Sequence, residues 1–313
     1  MDSTKRVSGP RPLIKFSKYN LAVIELTIAG IIWGGSFTLV RWALVDFAAS
    51  TLIFWRFVLA FVVGELILYF VNRPLFKSSW PDARSSMLAG LFLGLSLFFQ
   101  TYGLNYTSVT NSGFITSLYV VLIPIIGALF FRQKIKPRHI ILSLLAFTGM
   151  GFLLNMKEVS LHIGELLTLA AAFTAAFQIM FIGKVAKNTK SAFRFNTYQT
   201  FWSLVTILPF LVFETRAKKI RLWPEVVHLQ SVLSVIGLAL FVSMLAFYLQ
   251  VRAQRTLSTT TSSMLCLLEG PFAFIFAAYF LSESLDGLQL FGALIILSSC
   301  ALSVFMDRPK VIS

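Results

Sequence analysis

Charge is scarce in this sequence. Asp, Glu, Lys and Arg make up 13% of its 313 residues, where an ordinary globular domain carries about 25%, and the mean hydropathy is +0.80. A soluble fold with a conventionally charged surface is excluded by that shortage. Cysteine is rarer still: Cys266 and Cys300 are the only two, both inside apolar runs, so no disulfide framework is implied. The three histidines, His139, His162 and His228, fall at the ends of apolar runs or in loops. There is no HExxH, no Cys–His pairing and no aspartate pair at depth, so neither an intramembrane enzyme nor a metal or cofactor site is indicated. No P-loop is present either, and the chain is not expected to hydrolyse ATP itself.

What the sequence has in abundance is apolar length. Hydrophobic residues make up 57% of it, in runs of roughly twenty that each suffice to cross a hydrocarbon core of about 30 Å at 1.5 Å per residue. Helices are the expected element, because in lipid each backbone amide must be satisfied within its own segment; a β-barrel would show ten-residue strands of alternating polarity instead. Spans are predicted at 22–43, 51–71, 85–104, 110–131, 138–155, 162–182, 195–213, 231–251, 260–281 and 287–306. The polar, basic stretch before them reads as a retained cytoplasmic tail over 1–21, not a signal peptide, since the first apolar run is of full span length and lacks a cleavage site. A second short tail follows at 307–313.

The basic residues orient these spans. With the N-terminus cytoplasmic, inside segments carry Lys5, Arg6, Arg11, Lys15 and Lys18; Arg73, Lys77 and Arg84; Arg132, Lys134, Lys136 and Arg138; Lys184, Lys187, Lys190 and Arg194; Arg252 and Arg255; Arg308 and Lys310. Those are twenty of the 27 basic residues, as the positive-inside rule requires. The net charge of +14 is thereby explained by topology, and no nucleic-acid partner is implied. The exception is the group Arg216, Lys218, Lys219 and Arg221, which lies outside together with Arg41, Lys157 and the acidic loop around Glu283 and Asp286.

Shifting the chain on itself by 150 positions pairs Leu95 with Leu245, Gln100 with Gln250, Ser108 with Ser258, Thr110 with Thr260, Ser112 with Ser262 and Leu118 with Leu268. An internal repeat follows, and five spans per repeat have a geometric consequence. An odd number of crossings makes the second half enter from the opposite face. The expected fold is therefore an all-α polytopic membrane protein of ten transmembrane helices in two inverted five-helix repeats, 22–155 and 162–306. In such proteins the binding site lies near the midplane where the halves meet.

Polar residues at depth are the site candidates. Glu269 falls about 13 Å into its span, where an ionised carboxylate costs at least about 2.5 kcal/mol unless it faces a partner or a wet cavity. It is a candidate for binding a substrate amine or a proton; the alternative is a buried glutamate hydrogen-bonded between helices. Its counterpart under the shift is Tyr119, at the same depth from the other face. Trp33 and Thr174 lie near mid-bilayer in the first span of each half, and Gln100, Gln178 and Gln250 nearer the membrane faces, where an amide either lines a vestibule or bonds a neighbouring helix. Gly34, Gly35 and Ser36 beside Trp33 suit close helix packing. Arg56, about 8 Å inside its span, is close enough to the edge to snorkel or pair, and Glu25 and Glu65 lie near span ends. Pro124 and Pro271 fall in the fourth and ninth spans, where each removes a backbone donor and can kink its helix. A phosphorylated substrate would need several Lys or Arg at the centre, and none cluster there. A neutral, zwitterionic or cationic small-molecule partner follows, with Glu269 as the negative group. A receptor or membrane scaffold is the competing class, and an oligomeric state is not legible in the sequence.

Several stretches resemble a known family. Trp33-Gly34-Gly35-Ser36-Phe37, Trp55-Arg56-Phe57 and Phe114 to Pro124 (FITSLYVVLIP) resemble the first repeat of the EamA family of drug/metabolite transporters, and Ala246 to Arg255, Leu267-Leu268-Glu269 and Ser282-Glu283-Ser284-Leu285 resemble its second. Two departures stand out. Gly270 separates Glu269 from Pro271, and Arg132-Gln133-Lys134 occupies a place where a glutamate is common. The resemblance implies a ten-helix permease with cytoplasmic termini and a cavity lined by spans 1, 3, 4, 6, 8 and 9. It also implies export of amino acids or related metabolites, and the short loops suit a bacterial inner membrane.

Overall fold

The computed structural model describes residues 17–77, 80–107, 109–134, 136–154, 162–281 and 286–308. The basic tail residues Lys5 to Lys15, Ser108, Lys157, the 282–285 motif with Glu283, and Lys310 lie outside them, as do the side chains of Thr110 and Asn111. Among the described residues the structure is helical throughout, without strands. The elements are α1 (Lys18–Ala43), α2 (Ala49–Val71), α3 (Arg73–Lys77), α4 (Trp80–Gly103), α5 (Val109–Ser117), α6 (Tyr119–Phe131), α7 (Pro137–Leu153), α8 (Ile163–Val185), α9 (Ala192–Ala217), α10 (Leu229–Gly237), α11 (Phe247–Ala253), α12 (Thr259–Cys266), α13 (Glu269–Leu281) and α14 (Gly287–Met306). Between α10 and α11, Leu238–Ala246 winds as a π-helix.

Local chemistry sets the helix ends. Ser17, Ser191 and Ser258 cap α1, α9 and α12 by accepting a backbone N–H from the first turn. Asp286 and Gln289 close a reciprocal capping box on α14, and Pro137 opens α7 at a position whose amide needs no partner. Among the described residues, seven helical stretches are long and apolar enough to cross a membrane: Lys18–Ala43, Ala49–Val71, Trp80–Gly103, Ser112–Phe131, Ile163–Asn188, Leu229–Ala253 and Gly287–Met306. Pro137–Leu153 is a shorter apolar helix.

Two faces are defined by what meets there. At the near face, where α1 begins, Tyr19 donates to the Val304 carbonyl, Arg138 pairs with Asp307, Arg194 with Asp82 and Arg252 with Glu25. At the far face, where α1 ends, the His228 backbone donates to Asp46, Ser231 to the Trp42 carbonyl and Lys218 to the Tyr102 hydroxyl. The packing has a two-fold pattern. α4 packs on α8 and α9, while the α10–α11 rod packs on α1 and α2; α6 lies on α8 as α13 lies on α1; α7 pairs with α14 and α2 with α9. A shift of about 150 residues exchanges every one of these partners.

The continuous helices expected at 110–131 and 260–281 are both interrupted. The first breaks at Leu118 and the second at Leu267–Leu268, where the Leu118 and Leu268 amides fall back to three-residue bonds with Ile115 and Leu265. Pro271 lies four residues after Leu267, whose carbonyl its ring would otherwise crowd. Pro124 sits within α6, six residues past the break. Close packing by small residues is clearest at Gly34, where an added Cβ would lie 2.7 Å from the Ala273 nitrogen and 2.9 Å from the Glu269 carbonyl.

The basic group at 216–221 stays at the far face and is partly neutralised. The Lys218 ammonium donates to Tyr102 Oη at 2.7 Å and to Glu214 Oε1 at 3.1 Å, contacts that raise its pKa above the ordinary lysine value. Arg221 pairs with Glu225.

Candidate functional site

A cavity of about 550 Å³ runs from the far face to the middle of the bundle. At its mouth are Arg41, Leu44, Leu104 and Thr107; at its floor are Trp33, Tyr119, Gln178, Gln250, Cys266 and Glu269. It stops short of the near face, for the part of α1 that lines it starts at Trp33. Below the floor the chain is held shut by polar contacts. Arg252 Nη2 lies 2.9 Å from Glu25 Oε1, and the Arg255 guanidinium donates to the Thr189 carbonyl at 2.8 Å. Asp307 accepts from Arg138 at 3.1 Å, Ser258 at 2.8 Å and Thr261 at 2.7 Å, with His139 Nε2 at 3.1 Å.

The floor is built by the two helix breaks. Tyr119 is the first residue of α6 and Glu269 the first of α13, so the counterparts under the 150-residue shift each open a half-helix at the centre of the bundle. A helix N-terminus carries a partial positive charge from its unpaired amides, and both such ends lie at the cavity. Glu269 therefore lies at a helix start, not midway along a continuous span. Among the described residues it has no ion-pair partner.

Of the residues singled out from the sequence, the cavity brings together Trp33, Gln100, Tyr119, Gln178, Gln250 and Glu269. Gln178 Nε2 donates to Gln250 Oε1 at 3.3 Å, and Gln100 Nε2 donates to Thr116 Oγ1 at 3.2 Å. Trp33 packs on Phe247, ring centroids 5.4 Å apart. Thr174 is not among the lining residues: its hydroxyl donates to the carbonyls of Ala170 and Ala171, one turn back on its own helix. Arg56 from α2 lines the cavity too, which adds α2 to the expected set of lining helices. Its side chain is 5% exposed, and its Nε donates to Ser243 Oγ at 2.6 Å. The signal that marked it was a lone arginine in an otherwise uncharged run, Ala49–Val71, broken only by Glu65.

A helical bundle of long apolar stretches around a half-open cavity is the architecture of an integral multi-pass membrane protein. The profile of the EamA-like transporter family matches residues 20–155 and 162–305, and the chain belongs to that family. It is 33% identical over 282 residues, 88% of this chain and 83% of the relative, to an uncharacterized transporter of Archaeoglobus fulgidus. It is 24% identical over 293 residues, 90% and 93% of the two chains, to a protein of Salmonella typhimurium named "Probable amino-acid metabolite efflux pump". A solved crystal structure shares the fold, with a TM-score of 0.73 at 16% identity over 92% of this chain and 97% of that one.

Proposed function

We propose that the chain is a secondary transporter that exports a small neutral, zwitterionic or cationic metabolite by alternating access. In this reading ten helices cross the membrane as two inverted repeats, 22–155 and 162–306, and the near face with both termini is cytoplasmic in a bacterial inner membrane. The seven long apolar stretches, with Pro137–Leu153, α9 and the α12–α13 pair, supply the ten crossings. The observation that carries the reading is a cavity ending at mid-bundle on Glu269, open toward one face and closed toward the other. A scaffold needs no such space, and alternating access requires it. The relative named as an efflux pump supports export of an amino-acid metabolite.

Glu269 is the residue assigned to the cargo or to a coupling proton. The test is counterflow in proteoliposomes with a labelled panel of amino acids and related metabolites, comparing wild type with Glu269→Gln at several pH values. Uptake should appear for at least one compound and fall at least tenfold in the variant. If Glu269 carries a proton, the pH dependence disappears with it; if it holds a substrate ammonium, the variant loses uptake at every pH. Full activity in Glu269→Gln would reduce the residue to a packing role.

A further inference from the structure

The polar groups of the cavity are unequally matched. Glu269 is the carboxylate among its lining residues. The Gln178 and Gln250 amides are bonded to each other, and Gln100 donates to Thr116. The donors are left over. Trp33 Nε1 and the Tyr119 hydroxyl are buried without a hydrogen-bond partner, on side chains 7% and 4% exposed. Arg56 uses its Nε on Ser243, and no carboxylate lies within ion-pair distance of its guanidinium among the described residues. The N-termini of α6 and α13 add partial positive charge at the floor.

Arg56 is held in place by an unusual backbone. Ser243 lies in the π-helical stretch Leu238–Ala246, and the widened turn leaves carbonyls to be satisfied from outside. Asn196 Nδ2 donates to the Ser243 and Met244 carbonyls, each at 3.0 Å. The π-turn, Asn196 and Ser243 together fix one N–H of the guanidinium and leave its outer edge for another group. π-Turns are kept in helices chiefly where they serve a site. A guanidinium edge is the geometry that takes a carboxylate through two parallel hydrogen bonds.

We propose that Arg56 is the carboxylate-binding residue of this cavity, so that the transported molecule presents a carboxylate to α2 in the first half and its other polar end to Glu269 in the second. The inference rests on the transport reading and narrows it. A simple amine without a carboxylate would leave Arg56 and the two orphaned donors unmatched.

The experiment uses paired probes differing only in that group: phenylalanine with phenethylamine, and leucine with isopentylamine. Counterflow and thermal unfolding of the purified full chain are followed for wild type, Arg56→Gln, Arg56→Lys, Ser243→Ala and Ser243→Thr. Wild type should take and be stabilised by the carboxylate member of a pair at least tenfold better than the amine. Arg56→Gln should lose that preference, uptake of the carboxylate member falling at least tenfold further than that of the amine. Arg56→Lys keeps the charge without the fork and falls between. Ser243→Ala should raise the half-saturating concentration more than it lowers the maximal rate, and Ser243→Thr should restore it. Equal loss of both members in Arg56→Gln and Arg56→Lys would make Arg56 a brace between α2 and the π-turn and overturn the inference, as would a wild type that prefers the amine. A wild type inert toward every probe and every member of the wider panel would overturn the transport reading, and this inference with it. If Arg56→Gln does not fold, the Arg56→Lys and Ser243 variants still decide.

Discussion

Gly292 shows how little room single residues have in this bundle. An added Cβ would lie 2.3 Å from the Leu153 nitrogen and 2.5 Å from the Gly149 carbonyl, both of them backbone atoms that cannot rotate away. α7 and α14 therefore touch through their main chains. Gly292→Ala is expected to force them apart at a cost of about 1–3 kcal/mol, the usual penalty of overpacking, read as a lower unfolding temperature in detergent. An unchanged temperature would mean that the contact relaxes freely. Residue-scale legibility follows a similar divide. Distance along a helix could be counted from the sequence, so the mid-depth placing of Glu269 and Tyr119 was readable. Rotation about a helix axis could not be counted, and Thr174 shared that depth while turning its hydroxyl to its own backbone. Arg56 was ambiguous for another reason: at about 8 Å from the edge a guanidinium can reach solvent, and only its bond to Ser243, 187 positions away, turns it inward.

At the scale of elements, hydropathy located the long apolar rods, because burial in lipid demands them, but could not show where they break. Leu118, Leu267 and Leu268 are as apolar as their neighbours, so the interruptions leave no trace in an average. The π-turn at Leu238–Ala246 is equally silent, being spelled in ordinary helix-forming residues. The near-face ends of α7, α12 and α14 are gathered by one carboxylate, Asp307, and its behaviour with pH can be derived. The hydrogen bond from His139, with those from Thr261 and Ser258, holds its pKa well below the ordinary carboxylate value. A depressed native pKa gives stability that is full above the unfolded value of about 3.9 and is lost as pH falls through the native one. Near neutral pH, Asp307→Asn should therefore unfold at a lower temperature than wild type. Below about pH 4 the gap should begin to narrow, and it should close only as pH falls through the much lower native value. A gap that persists at the acid end would show that the ionised carboxylate is not what joins the three helices.

For the whole molecule, the cavity and the closed layer beneath it describe, on the transport reading, one state of two. The Glu25–Arg252 pair spans α1 and α11, and its arginine is nearly half exposed, so it is worth up to about 1 kcal/mol. On the transport reading, Glu25→Gln should then raise the share of molecules open at the near face by up to about fivefold. The readout is a cysteine placed at Leu97, on the cavity wall, in a Cys266→Ser, Cys300→Ser background. A membrane-impermeant thiol reagent should modify it from the far side in the unaltered pair, and faster from the near side once Glu25 is neutral. Equal labelling from both sides at the outset would contradict a molecule closed at one end.

The repeat also has a limit that matters. The main packing partners are exchanged when one half is laid on the other, yet the half-helix of one opens on Tyr119 and that of the other on Glu269. The backbone is nearly even-handed and the centre is not. A perfectly symmetrical pair of halves would rest equally in mirror-related positions and favour neither side. Here the positive end of one half-helix meets a carboxylate and that of the other a phenol, so on the transport reading the two positions differ in energy before any cargo arrives. If the protein alternates as proposed, a scaffold that is balanced on a pivot that is weighted has a built-in preference for which way it waits, and that preference is set by two side chains.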